Sequence, residues 1–486
     1  MTETRTVRLP ADPIARPVDL SRPHFVGIGG AGMSALAQIA LCRRAQVSGS
    51  DITGSPRLSA LTASGCRIQF GHVAANVGEP TCVVFSTAIA EDNPELLAAR
   101  ERGIPVVHRA HALAALMEGH TSVAVAGTHG KSSTTAMLAV ALRELGLDSS
   151  YAIGADLHIP GSGGHHGAGE IFVAEADESD HSFHVLRPDV ALVLNVDDDH
   201  PENYGGLADH INAYAAFACR ITTGGVLVCN VDDDGARQLS ARLAGDAPWL
   251  RLVTYGTAEH ADVRIISMQT RRMATTTTVA MSDGVCVRTE LGVPGRHMAH
   301  NAVAVLAVAG VLGIDTAGVA SALGRYGGVR RRLTPHGEPD GVSVVDSFAH
   351  HPTEIAADLD AARSLAEADG RVLVVFQPAG YGRTWALGAE MGAALAAADV
   401  VVLLEIYNRH GDVLPGVTSG IVADALTAHG GAVIAASDRQ AAVDAAVEMA
   451  EPGDVVLTMG SGDVTKLGRV ICKRITASVR HVPALR

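Results

Sequence analysis

The residues best suited to chemistry sit in two glycine-rich loops. In AVAGTHGKSST (124–134), Gly127, Thr128, His129, Gly130, Lys131, Ser132 and Ser133 lie between an apolar run and a helical pattern. A strict P-loop asks for glycine at 125, where Val125 stands, so the loop is a shortened GTxGK[ST] form. The physics survives the shortening. Backbone N–H groups and a helix N-terminus can surround phosphate oxygens. Lys131 can reach the β- and γ-phosphates, and the Ser132 hydroxyl can ligate Mg²⁺. ATP is the expected ligand. Only Lys131, Lys466 and Lys473 are lysines among 38 basic residues, so a lysine in this loop stands out.

The other loop, HFVGIGGAGMS (24–34), spaces Gly27, Gly29 and Gly32 as a dinucleotide-binding turn does. Its local pattern favours NAD, with Asp51 on the ribose. The glycines require only that a backbone approach a diphosphate closely, and a UDP-sugar also carries one.

Acidic residues follow two apolar runs. VAEADESD (173–180) holds Glu175, Asp177, Glu178 and Asp180, and NVDDDHPENYG (195–205) holds Asp197 to His200. So many carboxylates together need a cation. Beside a triphosphate that cation is Mg²⁺, which prefers oxygen ligands, so His200 would be an unusual partner. A solvated acidic rim is the bland alternative. His165 and His166 in GSGGHHGAG (161–169) read as a solvated turn rather than a metal site.

Parallel α/β units must position these loops. Residues 24–118 alternate short strands (HFVGI, VSGSD, TCVVFS, IPVVH) with helical segments, which predicts a doubly wound sheet. MEGHTS reads as a linker. TSVAVAG opens a second unit whose helix runs from Lys131 to about Leu145, with EIFVAEAD and DVALVLNV as central strands. The Thr-rich stretch 265–291 reads as an antiparallel edge. A third α/β unit begins near GVRRRL. The expected divisions are a mobile tail (1–22), then domains 23–118, 119–328 and 329–486.

The bulk composition agrees. A chain of 486 residues, 47% apolar and 19% charged, is globular and too long for one core. No apolar run spans a bilayer. A net charge of −14 argues against nucleic acid as a partner. Seven scattered cysteines without a CxxC pair, and no apolar leader, predict reduced thiols in a cytoplasm.

GIGGAGMS, GTHGKS, EADESD, VPGRHMAHNA, GVRRRL, HHPTE and MGSGDV occur together and in the order found in the Mur ligases. The chain resembles that family, the ATP-dependent amide-forming enzymes of peptidoglycan synthesis, from about His24 to Gly468. The likeness is strongest to the branch that joins L-alanine to UDP-N-acetylmuramate. It implies three domains: a Rossmann-like UDP-binding domain, a central P-loop-type ATPase and a C-terminal Rossmann-like domain closing over the site. Implied partners are a UDP-sugar acceptor and a small amino acid or amine, in a monomer or homodimer. Implied at the UDP-sugar are Gly29, Gly30, Ala31, Gly32, Met33, Ser34, Asp51 and Ser86, with Phe348 and Tyr381. His297, Asn301, Arg330 and Asp346 are implied at ATP. Ser132, Glu175 and His200 are implied at two Mg²⁺ ions. Lys131, Glu175, His200, His350 and Arg383 are implied in catalysis through an acyl phosphate. The carbamylated lysine of some sister ligases is excluded, because no lysine lies between 131 and 466.

The departures cluster toward the C-terminus. Where the family reads DDYxHHP, this chain has Asp346-Ser347-Phe348-Ala349-His350-His351-Pro352. Where the family reads FQPHxYxRT, Ala379 replaces a histidine and Gly380 cannot supply a cation. The DHxD pattern reads Asp199-His200-Pro201-Glu202, and Asn408 to Asp412 also differ. Lost polar contacts change selectivity or rate. The expected alternative is therefore a divergent paralogue using another amine or acceptor in specialised metabolism, with Arg383 as a carboxylate clamp. Two rivals come from other classes. A nicotinamide dehydrogenase leaves Lys131 without a role. A non-catalytic nucleotide-binding regulator leaves Lys131, Ser132, Glu175 and His200 without one.

Overall fold

A computed structural model describes residues 17–157, 161–408 and 413–479. Three sheets follow one another along the chain. In the first, five parallel strands lie in the order Arg67–Phe70, Ser48–Asp51, Pro23–Val26, Cys82–Phe85 and Val106–His108. The order reverses at Pro23–Val26, so the loop after that strand opens at a switch point where ligands bind.

The second sheet has ten strands. Its centre is parallel: Val226–Asn230, Val190–Val193, Thr121–Ala126 and Ile171–Glu175 lie side by side. These short apolar runs are covered by the helices Lys131–Glu144 and Arg296–Val311, whose Ala, Val and Leu side chains are almost all buried. Val263–Arg271, Ala274–Ala280 and Cys286–Leu291 form the expected antiparallel edge. The third sheet has five parallel strands and one antiparallel edge, Thr334–Gly337. The two edge strands Arg67–Phe70 and Thr334–Gly337 are short and largely exposed, and they carry little of the apolar pattern that marks central strands.

Two expectations need correction. Residues 17–22 are docked rather than a tail: Val18 and Leu20 pack on the core, and the Arg22 carbonyl accepts from the Thr81 amide at 2.9 Å. The rest of that expected tail lies outside the described residues. The stretch 161–169 is not a solvated turn. Gly164–His165 pairs antiparallel with Ser150–Ala152 and lies against the helix Ala31–Cys42. A Cβ at Gly164 would sit 2.1 Å from the Ala35 carbonyl, so glycine is required for the first and second units to meet there. His165 faces Asp148 at 3.1 Å and His166 faces Ser150 at 3.1 Å.

Candidate active site

The ATP-type loop is a strand-to-helix turn. The strand Thr121–Ala126 ends at Gly127, and Gly130 caps the helix at φ +86, a left-handed conformation that favours glycine. Asn195, from the end of the neighbouring strand, clips the loop. Its Oδ1 accepts from the His129 amide at 2.7 Å, and its Nδ2 donates to the His129 carbonyl at 3.0 Å. Lys131 Nζ donates to the Gly127 carbonyl at 2.6 Å, the Thr128 carbonyl at 3.2 Å and Glu178 Oε1 at 2.8 Å.

This loop separates two cavities. One, of about 370 Å³, is walled by His129, Gly130 and Ser133 of the loop. Asn195 and Asp197, Asp232 and Asp233, and His297 and Asn301 complete its second-unit side. The third unit adds Arg332, Thr353, Glu354 and Asp358. The other cavity, of about 320 Å³, is lined by Gly30, Ala31, Gly32, Met33 and Ser86 of the first unit. Arg109, Lys131, Glu175 and Asp177 face them. The two glycine loops that the sequence sets a hundred residues apart therefore open on one space, with Lys131 between them.

The charges in that space are mostly buried. Burial pushes the Glu175 carboxyl up, against the Ser132 hydroxyl and Lys131 that favour its charge. Its Oε2 accepts from the Gly154 amide at 2.8 Å, while Oε1 is buried without a partner. Burial pushes Glu178 up as well, against Lys131. Burial also opposes charge on Asp177, but Arg109 and Lys131 outweigh it and hold the carboxyl well below the usual range. A hard cation suits such a set: an orphaned buried carboxylate oxygen, a hydroxyl beside it and more acid than base.

His200 lines neither cavity. It sits at φ +54 in the acidic turn, with Nδ1 3.3 Å from Glu202 and Nε2 3.6 Å from Asp199. Burial opposes its charge, and these two carboxylates outweigh that and raise it. Asp199 also joins the second unit to the third, because Arg383 Nη2 lies 2.9 Å from its Oδ1. Arg383 Nη1 is buried and has no partner. His350, nearby, is pulled down to about 4 by burial and by Arg383. Its Nδ1 lies 2.9 Å from the Phe348 carbonyl, so the neutral ring donates there and leaves Nε2 as an acceptor.

Several expected positions fall elsewhere. Asp51 Oδ2 accepts from the Gly29 amide at 2.8 Å, so this carboxylate holds the first loop itself. Ser34 Oγ donates to the Ala31 carbonyl at 2.9 Å within the helix. Of the three arginines 330–332, Arg330 is not the one at the cavity. It is exposed, its amide bonds the Asp156 carbonyl at 3.2 Å, and Arg332 takes the wall position. Arg331, at φ +65, turns the chain, and that turn splays consecutive side chains apart. Asp346 does not face the cavity either. It is buried and accepts from Thr458 at 2.9 Å and Thr465 at 2.6 Å. Phe348 lies under the guanidinium groups of Arg331 at 4.7 Å and Arg332 at 5.1 Å. Phe348 and Tyr381 line neither of the two cavities. Of the altered loop 408–412, Arg409 to Asp412 lie outside the described residues.

Sequence reasoning missed Arg109, Asn195, Arg332, Glu354 and Asp358 as wall residues. Arg109 and Asn195 each follow an apolar run, the signal that drew attention to the acids. Glu354 closes the HHPTE motif, and Asp358, one helical turn further on, carried no comparable mark.

Three family profiles match consecutive stretches. "Mur ligase family, catalytic domain" covers residues 22–121, "Mur ligase middle domain" 125–309, and "Mur ligase, glutamate ligase domain" 331–462. The UDP-N-acetylmuramate–L-alanine ligase of Streptomyces coelicolor is 53% identical over 453 residues, covering 93% of this chain and 97% of its own length. The Streptomyces avermitilis protein of the same name is 51% identical, over 95% of this chain and 98% of its own. Among solved structures, the Thermotoga maritima UDP-N-acetylmuramate–alanine ligase superposes with a TM-score of 0.77 at 28% identity, covering 94% of this chain and 99% of that one. A murein peptide ligase from Psychrobacter arcticus shares the fold, with a TM-score of 0.69 at 22% identity over 93% of this chain and 98% of that one.

Proposed function

The chain belongs to the Mur ligase family, and we propose that it joins L-alanine to the lactyl carboxylate of UDP-N-acetylmuramate at the expense of ATP. One observation carries this reading. Lys131, at the start of the ATP-loop helix, lines the same cavity as Gly30, Ala31 and Gly32. A triphosphate held by the second loop and a sugar diphosphate held by the first would direct their reactive ends at one another there.

In this scheme adenosine occupies the larger cavity, against His297, Asn301 and Arg332. The phosphates run along Gly127 to Ser132. The UDP diphosphate meets the amides of Ala31 and Gly32 at the start of the helix Ala31–Cys42. The acceptor carboxylate takes the γ-phosphoryl group, which gives an acyl phosphate and ADP. Lys131 and Arg109 stabilise the transferring charge, and positioning supplies the rest. Ser132 and Glu175 would hold Mg²⁺, which neutralises the phosphate oxygens when bound. The amine then attacks the acyl carbon and inorganic phosphate leaves. The unpartnered Nη1 of Arg383 is the carboxylate clamp for the amino acid. Neutral His350, with a free Nε2, is placed to accept a hydrogen bond from the incoming amine rather than its proton, because its basicity is low. Among the described residues no helix is long and apolar enough to cross a membrane, which fits a cytoplasmic enzyme acting on soluble substrates.

A second reading, with another amine in place of L-alanine, is favoured by Ala379 and Gly380, which directly precede the helix that carries Arg383. Phosphate release with Mg-ATP, UDP-N-acetylmuramate and a panel of amino acids separates the two. Preference for L-alanine supports the first, and turnover only with another amine supports the second. Lys131→Ala is expected to lower kcat by about 10²–10³-fold, the cost of losing one preorganised donor at developing charge. Undiminished turnover in that variant would remove the ATP assignment.

A further inference from the structure

The middle and C-terminal units meet at a cluster in the wall of the larger cavity, to which the ligase scheme above gives no metal. His129 and Asp197 come from the middle unit, and His351 comes from the N-cap of the helix Pro352–Arg363 in the C-terminal unit. One ligand atom from each lies within 4.8 Å of the others. His129 Nε2 is 3.2 Å from Asp197 Oδ2, and His351 Nδ1 is 3.7 Å from the same oxygen. Ligand atoms around a tetrahedral ion with bonds of about 2.0–2.1 Å are roughly 3.3 Å apart. The cluster therefore needs only small ring rotations to close on one ion.

The groups outside the cluster point the same way. His129 Nδ1 faces Glu354 at 3.4 Å, which leaves Nε2 toward the centre. His351 Nε2 bonds the Asp198 carbonyl at 3.1 Å, which leaves the Nδ1 lone pair toward the centre. Metal-ligating histidines are held in this way, with the far nitrogen on a carboxylate or backbone carbonyl. Asp197 Oδ2 is itself positioned by the Thr353 hydroxyl at 2.6 Å. The Thr353 amide shares His351 Nδ1 only at 3.3 Å, a long contact that a cation replaces.

The geometry points to a binding site for a first-row transition cation of the zinc class, formed by His129, Asp197 and His351 and bridging the two units beside the ATP loop. Two imidazoles and one carboxylate select such an ion over Mg²⁺. Solvent or a phosphate oxygen takes the fourth position. The bound ion displaces the proton that His129 shares with Asp197 and releases it to solvent. Because His351 and His129 belong to different units, the ion also fixes their separation, so zinc is expected to slow turnover reversibly.

The test titrates full-length, metal-stripped protein with Zn²⁺ alone against a chromophoric chelator. Cys42, Cys219 and Cys286, the exposed thiols among the described residues, are changed to serine so that they cannot compete. One Zn²⁺ per chain is expected, with affinity at least a hundredfold lower in Asp197→Asn and in His351→Gln. Glu354→Gln keeps all three ligands and should weaken binding about 10–100-fold. Co²⁺ in place of Zn²⁺ should give a four-coordinate visible spectrum without thiolate charge transfer, a readout independent of any variant's folding. Sub-stoichiometric binding, or affinity unchanged in either ligand variant, overturns the site. No nucleotide or acceptor is present, so the result stands apart from the ligase reading.

Discussion

Asp358 is the carboxylate whose ionisation the fold resists most usefully. It lies in the wall of the larger cavity, accepts a hydrogen bond from Ser347 and faces His297 at 3.6 Å. Burial pushes its carboxyl up from 3.8 to about 7, and the Ser347 hydroxyl only partly opposes this. An acid raised by folding binds its proton more tightly in the folded chain. Its contribution to stability is fully present below the unfolded value and is lost as pH rises through the folded one. The gap of about three units, at 1.36 kcal/mol each, sets that loss at about 4 kcal/mol between pH 4 and 7. Asp358→Asn removes the ionisation and keeps the shape. The urea midpoint of the variant should therefore match the wild type near pH 4 and exceed it progressively up to pH 8. Infrared difference spectra, wild type minus variant, should show a protonated carboxyl C=O stretch at pH 6 that titrates away near pH 7. The charge that appears above pH 7 stands in the wall of the cavity proposed for adenosine, so KM for ATP should rise with pH in the wild type and stay flatter in the variant. A midpoint difference equal at pH 5 and pH 8, with no protonated carboxyl band, would refute the reasoning.

Other consequences can be measured as directly. Arg332→Ala should raise KM for ATP about tenfold, the equivalent of 1.4 kcal/mol, whereas exposed Arg330→Ala should stay within twofold. Arg383→Ala should raise KM for the amino acid far more than KM for ATP, and Arg383→Lys should rescue poorly because a point charge cannot reproduce the fork. Glu95 is buried, which raises it, but hydrogen bonds from His24, Ser50 and Asn76 outweigh burial and hold it down at about 2. A depressed carboxylate stabilises above its unfolded value of 4.5 and ceases to as pH falls toward 2. The Tm deficit of Glu95→Gln should therefore be large at pH 7 and shrink as the pH is lowered from 5 to 3.

The parallel strands and both phosphate loops were legible because each has a local signature. A buried central strand is a short apolar run, and a phosphate loop is glycine followed by a helix. The short edge strands and the docking of residues 17–22 were not, since half-exposed pairing leaves no periodicity to read. The site divides along the same line. Lys131 and Glu175 were visible from a loop and a strand end, His297 and Asn301 only through the family resemblance, and all four line the two cavities. Which of Arg330 to Arg332 faces the cavity was invisible, because it depends on the positive φ of Arg331. Asp346 read as a site residue from its motif, yet Thr458 and Thr465 draw it into the third sheet, and those partners lie more than a hundred residues away.

The changed residues of the C-terminal unit gain coherence from their contacts. Ser347 stands where the resembling family carries a second aspartate, and its hydroxyl donates to Asp358 on the helix Pro352–Arg363. An aspartate at 347 would set two buried carboxylates within hydrogen-bonding distance, and one would have to keep its proton. Serine at 347 and Asp358 are thus compatible as a pair. Phe348, one residue on, offers its ring face to Arg331 and Arg332, and one of these guanidinium groups reaches Gly460 while the other lines the larger cavity. A ring under two cations needs no hydroxyl to hold them. Two of the departures therefore act on the C-terminal unit's side of the larger cavity, through Asp358 and Arg332. Ala379 and Gly380 stand apart from this wall: Ala379 pairs with Tyr407, and the Gly380 amide bonds the Tyr407 carbonyl at 2.9 Å at the start of the helix that carries Arg383. A change of amine, if the chain makes one, should accordingly be reversed by substitutions at 379 and 380 and be indifferent to Ser347 and Phe348.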